Sequence, residues 1–298
     1  AIDISKTTKE STDNSSMSAN IYDPLDRRIV CTIPDLKVGE TVHTKTRSAE
    51  TKARCEGVWS NINVMEWSCP ILRTSLEVKA PKELPLKKKV VLNPRGNVIE
   101  STKELDDGSI LHTYVATNSA QVFPEPDMPR LFTEVQHVRL STAETWEELS
   151  KWYWHLCQPH IVKTTEAMTN KVEELVLGLD DHDARIRAIF KFVSQEIRYM
   201  GLTMEDTSPG YAPHDVDITF DNRYGVCRDK AGLLVAMLRL AGFNAFPVLI
   251  HCGAKLDPEV PQPFFNHAIV AVEKDEKFHS PPPPSTSNYI LMDPTNEN

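Results

Sequence analysis

Three prolines within six residues, Pro124, Pro126 and Pro129, constrain this chain more than any other feature. Each removes a backbone donor and fixes φ, so neither a helix nor a central strand can run through them. They separate two stretches of different hydrophobic pattern. Before them, residues 28–116 read as short strands. Ile33, Leu36 and Val38 open the series, and Leu72, Thr74, Leu76 and Val78 alternate ahead of Pro81. The clearest turn is Asp106-Asp107-Gly108, flanked by residues 97–105 and 109–116, and it predicts a hairpin.

After the prolines the period changes. Residues 141–157 carry Trp146, Leu149, Tyr153 and Leu156 at helical intervals, with Thr145 and Glu148 at capping-box spacing. A second helix is predicted after Asp180–Asp183, with Ile186, Ile189, Phe190, Val193 and Ile197 on one stripe, ending near Tyr199. A loop containing Pro209, Gly210 and Pro213 leads to Gly225. A third helix then places Cys227, Ala231, Leu234, Val235, Leu238 and Ala241 on one face and stops at Gly242. Three β-type runs follow at 243–250, 264–273 and 288–293, and the four prolines at 281–284 read as a stiff spacer between the last two. Helices followed by strands predict an α+β domain with an antiparallel sheet, since a doubly wound fold would alternate them. The organisation expected is a flexible segment over 1–27, a β-rich, sandwich-like domain over 28–140 and an α+β domain over 141–298.

Charge and composition exclude several functions. With 33 basic and 42 acidic residues the formal charge is −9, and the densest basic run is only Lys87 to Lys89, so a nucleic-acid partner is not expected. The longest apolar stretch, around 233–241, is broken by Arg239 and is far short of the roughly 20 residues of a membrane span. The N-terminal residues lack the basic and apolar regions of a signal peptide. Six cysteines are widely spaced, with no metal-type Cys/His spacing, so neither a metal nor a cofactor is indicated and disulfide pairing stays open. Oligomeric state is likewise not legible.

Cys227 is placed at the first turn of its helix, where free backbone N–H groups and the dipole favour a thiolate. The same N–H groups could hold the oxyanion that forms when a thiolate attacks a carbonyl. Alone, Cys227 reads as a small buried member of the apolar stripe. His267 shares a strand face with Ile269 and Ala271, and alone it reads as a core or edge histidine. Asp293 ends the last strand before Pro294, where a carboxylate could orient an imidazole, or simply start a turn. The conjunction is more specific than its parts: a helix-start Cys, a strand His and a strand-end Asp, in that order. Cys252, beside His251, is the rival nucleophile but follows a strand and so lacks the dipole. The remaining histidines, His214 among them, show no ligand spacing.

The residues Tyr224-Gly-Val-Cys-Arg-Asp-Lys-Ala-Gly-Leu-Leu, Leu240-Ala-Gly-Phe-Asn-Ala, Asn266-His267-Ala and Met292-Asp293-Pro-Thr resemble the transglutaminase-like superfamily of papain-related thiol enzymes, over roughly 180–298. Upstream, Ile33-Pro-Asp-Leu-Lys-Val-Gly-Glu and the Trp146 helix resemble the β-rich domain that precedes such domains in extracytoplasmic bacterial proteins. The resemblance implies a papain-like α+β fold and a Cys227–His267–Asp293 triad acting on peptide or protein substrates through a thioester. Tyr199 is the positional candidate for the oxyanion hole. It also implies a periplasmic or secreted protein whose signal peptide has been removed. Relatives continue past the position of Asp293, so a missing C-terminal piece is expected. Three activities fit: a peptidase or amidase, a catalytically idle protein- or glycan-binding module, and a cross-linking transglutaminase. Most of Trp59, Trp67, Trp146, Trp152 and Trp154 are expected to be buried, which would speak against the binding module. Asp229 and Lys230 match the motif and are expected to stabilise the helix start and its surroundings.

Overall fold

A computed structural model describes residues 8–22, 27–51, 53, 55–202, 210–274 and 288–296. The spacer at 281–284 lies outside them. In chain order the elements are β1 (Thr8–Thr12), β2 (Ile21–Tyr22), β3 (Arg27–Cys31), β4 (Ser60–Val64), β5 (Ile71–Ala80), β6 (Lys87–Val91), β7 (Ile99–Glu104) and β8 (Ile110–Ser119). Then come α1 (Leu131–Glu134), β9 (His137–Ser141), α2 (Trp146–Ile161), α3 (Glu166–Val176) and α4 (His182–Glu196). The remainder is β10 (Arg198–Tyr199), β11 (Gly201–Leu202), α5 (Val216–Asn222), β12 (Tyr224–Gly225), α6 (Cys227–Leu240), β13 (Ala245–Ile250), β14 (His267–Glu273) and β15 (Tyr289–Met292). The protein is thus a mixed α/β chain with a strand-rich N-terminal region, as the sequence predicts.

Two compact units emerge, and both are discontinuous. One comprises Thr51–His155 and Leu249–His267; the other comprises Ala1–Glu50, Leu156–Val248 and Ala268–Asn298. The sequence predicts continuous domains with boundaries near 27 and 140, whereas each of these units is assembled from separate stretches of chain.

The first unit is built on two three-stranded antiparallel sheets, β4-β9-β6 and β5-β8-β7. Alternation puts Leu76, Val78, Tyr114 and Ala116 of one sheet, and Val90, Val138 and Leu140 of the other, into a common core with Met65, Leu86 and Val98. The hairpin is present as β7 and β8, closed by Gly108 at φ +80° and by Asp107, which accepts from the Ser109 N–H at 3.1 Å. The run at Ile33, Leu36 and Val38 forms no strand. Asp35 and Gly39 sit in the left-handed region, which turns the chain, and Leu36 and Val38 are exposed.

In the second unit α6 is the buried element. Every residue from Asp229 to Leu238 is buried, and α3, α4 and α5 pack on it. Apolar residues on all sides are what an interior helix requires. It ends in a Schellman arrangement, with the Phe243 N–H on the Leu238 carbonyl at 3.0 Å and the Gly242 N–H on Arg239 at 3.0 Å; Gly242 supplies the φ of +89°. The last three strands form one sheet in the order β13-β14-β15, with β14 and β15 antiparallel. None of the five tryptophans is fully buried: Trp59 and Trp67 are 38% and 51% exposed and the others half-buried, against the expectation of burial for most.

Candidate active site

Cys227 is the first residue of α6 and is partly exposed. Val226 is the N-cap and has no side-chain acceptor, so the cap is supplied from within the helix: Asp229 accepts the Val226 N–H at 2.9 Å. Its other oxygen accepts the N–H and the Nδ1 of His214, at 2.9 and 3.0 Å. Burial pushes the Asp229 carboxyl up, yet the His214 hydrogen bonds and the Arg228 charge outweigh it and hold the group below the usual carboxylate range. The helix start thus carries a buried, ionised carboxylate. A Cβ on Gly225 would lie 2.6 Å from the Asp229 Cβ, so only glycine permits this closure.

Tyr199 reaches the same turn by strand pairing. β10 lies parallel to β12 with Tyr199 level with Gly225, and the Met200 N–H donates to the Gly225 carbonyl at 3.2 Å. The Tyr199 phenol lies close enough to Cys227 for the sulfur and the backbone N–H to act on its ionisation. Burial, then the sulfur of Cys227, push this phenol up to about 12. The backbone N–H of Cys227 pulls the other way, while its thiol and the Asp229 carboxylate add to the rise. A phenol that keeps its proton beside a sulfur and a backbone N–H is a donor arrangement suited to a developing oxyanion.

His267 is the half-buried first residue of β14. The preceding Asn266 fixes it: its N–H donates to the Ile250 carbonyl at 3.1 Å, and its side chain exchanges hydrogen bonds with the Cys252 backbone at 2.7 and 3.2 Å. Cys252, the rival nucleophile, is exposed on that loop and opens no helix. Asp293 follows β15 directly, and Oδ1 accepts the Thr295 N–H at 3.0 Å and hydroxyl at 2.7 Å. None of the six cysteines is in a disulfide. Among the described residues no group of three or more His, Cys, Asp or Glu could hold a metal ion, and no helix is long and apolar enough to cross a membrane.

The Asp229–His214 pair and the Asn266 clamp are the parts the sequence did not reveal. Asp229 was legible as a helix-start residue, but its partner lies fifteen positions upstream with no periodic signal connecting the two.

Residues 169–272 match the model of the transglutaminase-like superfamily, a span that includes Tyr199, Cys227 and His267 but not Asp293. No curated protein matches the chain. Among solved structures, a candidate protease from Parabacteroides distasonis is similar with a TM-score of 0.63 at 16% identity, over 91% of this chain. The match spans about half of that protein, 52% of its length. Weaker matches are a candidate cysteine protease from Cytophaga hutchinsonii (TM-score 0.34, 16% identity, 80% of this chain and 74% of that one) and the periplasmic domain of TgpA from Pseudomonas aeruginosa (TM-score 0.32, 17% identity, 75% and 69%). Residues 169–272 are thus a transglutaminase-like domain.

Proposed function

We propose that the protein is a cysteine-dependent acyl-transfer enzyme, a peptidase or amidase acting on peptide or side-chain amide bonds. The observation that carries this reading is Cys227 as the first residue of the buried helix α6, with Tyr199 on the strand paired to the preceding turn, level with Gly225, and near enough for the sulfur to act on its phenol. In this reading the Cys227 sulfur bonds to the substrate carbonyl carbon while His267 takes the thiol proton. The Cys227 N–H and the Tyr199 hydroxyl hold the oxyanion. The intermediate collapses by breaking the C–N bond, His267 gives its proton to the departing amine, and a thioester remains. Water, deprotonated by His267, then releases the acid and restores Cys227.

Asp293 has the role of orienting His267. The register supports it: Met292 lies opposite Val270, so one further step sets Asp293 level with Ile269, on the strand face that alternation gives to His267. An extracytoplasmic location, implied by the resemblance of the strand-rich region, belongs to the same proposal.

The test is mass spectrometry of peptides containing glutamine amides, incubated with the protein and a primary amine. Cleaved or deamidated peptides are expected, and none of them with Cys227→Ala or His267→Ala. Undiminished product from Cys227→Ala would falsify the reading, and amine adducts outnumbering hydrolysed product would move it to cross-linking. The exposed Trp59 and Trp67 are what favours the binding-module reading; it wins if no product forms and these rings are quenched by a peptide or glycan ligand.

A further inference from the structure

Lys230 lies three residues beyond Cys227 and is 0% exposed. Its Nζ donates to the Ser194 carbonyl at 3.1 Å and to the Ile197 carbonyl at 2.6 Å. Both acceptors belong to the end of α4, where carbonyls have no intrahelical partner and the dipole is negative. The last turn of α4 contains no basic residue, so α6 supplies this charge. Nor does a left-handed residue close the helix: Ile197 is already extended, at φ −105° and ψ 109°, and the chain passes directly into β10. Lys230 therefore holds the exit of α4 two residues before Tyr199. On the other side the Arg198 N–H donates to the Arg223 carbonyl at 2.8 Å, and the Met200 N–H to that of Gly225 at 3.2 Å.

A buried ammonium is costly to desolvate, and an apolar side chain of similar length would fill the same space without that cost. What an apolar chain could not do is couple these two backbone segments. Cys227 and Lys230 are one helical turn apart, so the residue that presents the sulfur and the residue that fixes the path to Tyr199 move as one rigid piece. Resting on the reading of Cys227 as nucleophile and Tyr199 as its oxyanion partner, we propose that Lys230 is a positioning residue for Tyr199, setting the distance of its hydroxyl from the Cys227 N–H and thiol. Lys230 acts through Tyr199 and does not touch substrate.

The test is a double-mutant cycle. Lys230→Met, Lys230→Gln and Lys230→Arg are made alone and in a Tyr199→Phe background. Two quantities are read on protein whose fold is checked by circular dichroism: the ionisation of Tyr199 by NMR of labelled tyrosine, and the rate of iodoacetamide alkylation at Cys227 by peptide mapping. Tyr199 is expected to ionise at least about one pH unit lower in Lys230→Met. Cys227 alkylation at pH 7 is expected to slow about three-fold or more, and Tyr199→Phe is expected to slow it by a similar factor, because in both the sulfur loses the phenol as a donor. Lys230→Met should add nothing in the Tyr199→Phe background, and Lys230→Arg, which keeps the donors, should restore both values. Should Lys230→Met not fold, Lys230→Gln carries the test, with an intermediate shift of Tyr199 expected. An unchanged Tyr199 ionisation in a folded variant, or alkylation effects that multiply across the cycle, would overturn the proposal. The enzymatic reading fails separately: Cys227 inert in the native protein defeats it, while the Tyr199 titration still reports on Lys230.

Discussion

Tyr114 and Tyr199 both keep their phenolic protons to about 12, for different reasons. Tyr114 is 0% exposed in the sandwich core; burial, then the Glu100 carboxylate, raise it, and its hydroxyl has no hydrogen-bond partner among the described residues. An unfolded tyrosine ionises near 10, so the folded state holds these protons longer. Stability linked to them is full below about pH 10 and is lost as pH rises through about 12. Tyr114→Phe should therefore leave neutral-pH stability unchanged or raise it by up to about 1 kcal/mol, since it removes an unmatched buried polar atom. It should also move the alkaline unfolding midpoint upward; chemical denaturation at pH 7 and 11 checks both. A loss of more than about 1 kcal/mol at pH 7 would mean that the hydroxyl is paired. Of the candidate site residues, Cys227 was legible at the start of a strongly patterned helix, whereas Tyr199 was picked out only by the family resemblance. His214 was not, because a side chain on a loop finds its partner through tertiary folding and leaves no spacing in the sequence.

Element boundaries depend on a few local contacts around the site. Asp181 caps α4, accepting the Ala184 N–H at 2.9 Å, and Asp181→Ala should cost about 1 kcal/mol in denaturant unfolding. Gly225→Ala is expected to be worse, because the added Cβ would lie 2.6 Å from that of Asp229 and 3.2 Å from Thr219 Cγ2. The cap must open to admit it, so Cys227 alkylation should change together with stability, whereas Asp181→Ala should lower stability alone. Peptide mapping at equal folded fraction separates the two, and unaltered Cys227 reactivity in Gly225→Ala would show that the cap does not set it. The legible elements are those with unambiguous chemistry: the Asp-Asp-Gly hairpin, the capped α4, the stripe of α6 and the three closing strands. The sequence reading missed β9, whose burial on both faces erases the alternation, and α3, which buries only Met168 and Val172. It also missed α5, too short at seven residues to establish a period.

At the scale of the whole molecule, the discontinuity of the units is what sequence reading could not supply, since hydrophobic period reports on neighbours along the chain. Residues 249–267 belong with the strand-rich unit by specific contacts. Gln262, 3% exposed, donates from Nε2 to the Asn61 and Leu140 carbonyls at 2.9 and 3.0 Å, joining β4 to β9. The Trp146 indole donates to the Asp257 carbonyl at 2.9 Å, and Lys89 pairs with Asp257 and Glu259 at 3.0 and 2.7 Å. On the other flank Ala143 and Leu149, beyond residue 140, pack with Cys55. A fragment of residues 28–140 lacks all of these partners, leaving backbone carbonyls without donors and core side chains exposed. A fragment joining 51–155 to 249–267 through a long flexible linker retains them. The joined fragment should melt cooperatively and protect the β4 and β9 amides from hydrogen exchange, while 28–140 should show neither. Equal protection in the two fragments would mean that the distant segment decorates the unit without stabilising it. Within the joined fragment, Gln262→Leu should then cost about 1–2 kcal/mol and loosen β4 and β9 together, because one side chain serves a carbonyl on each strand.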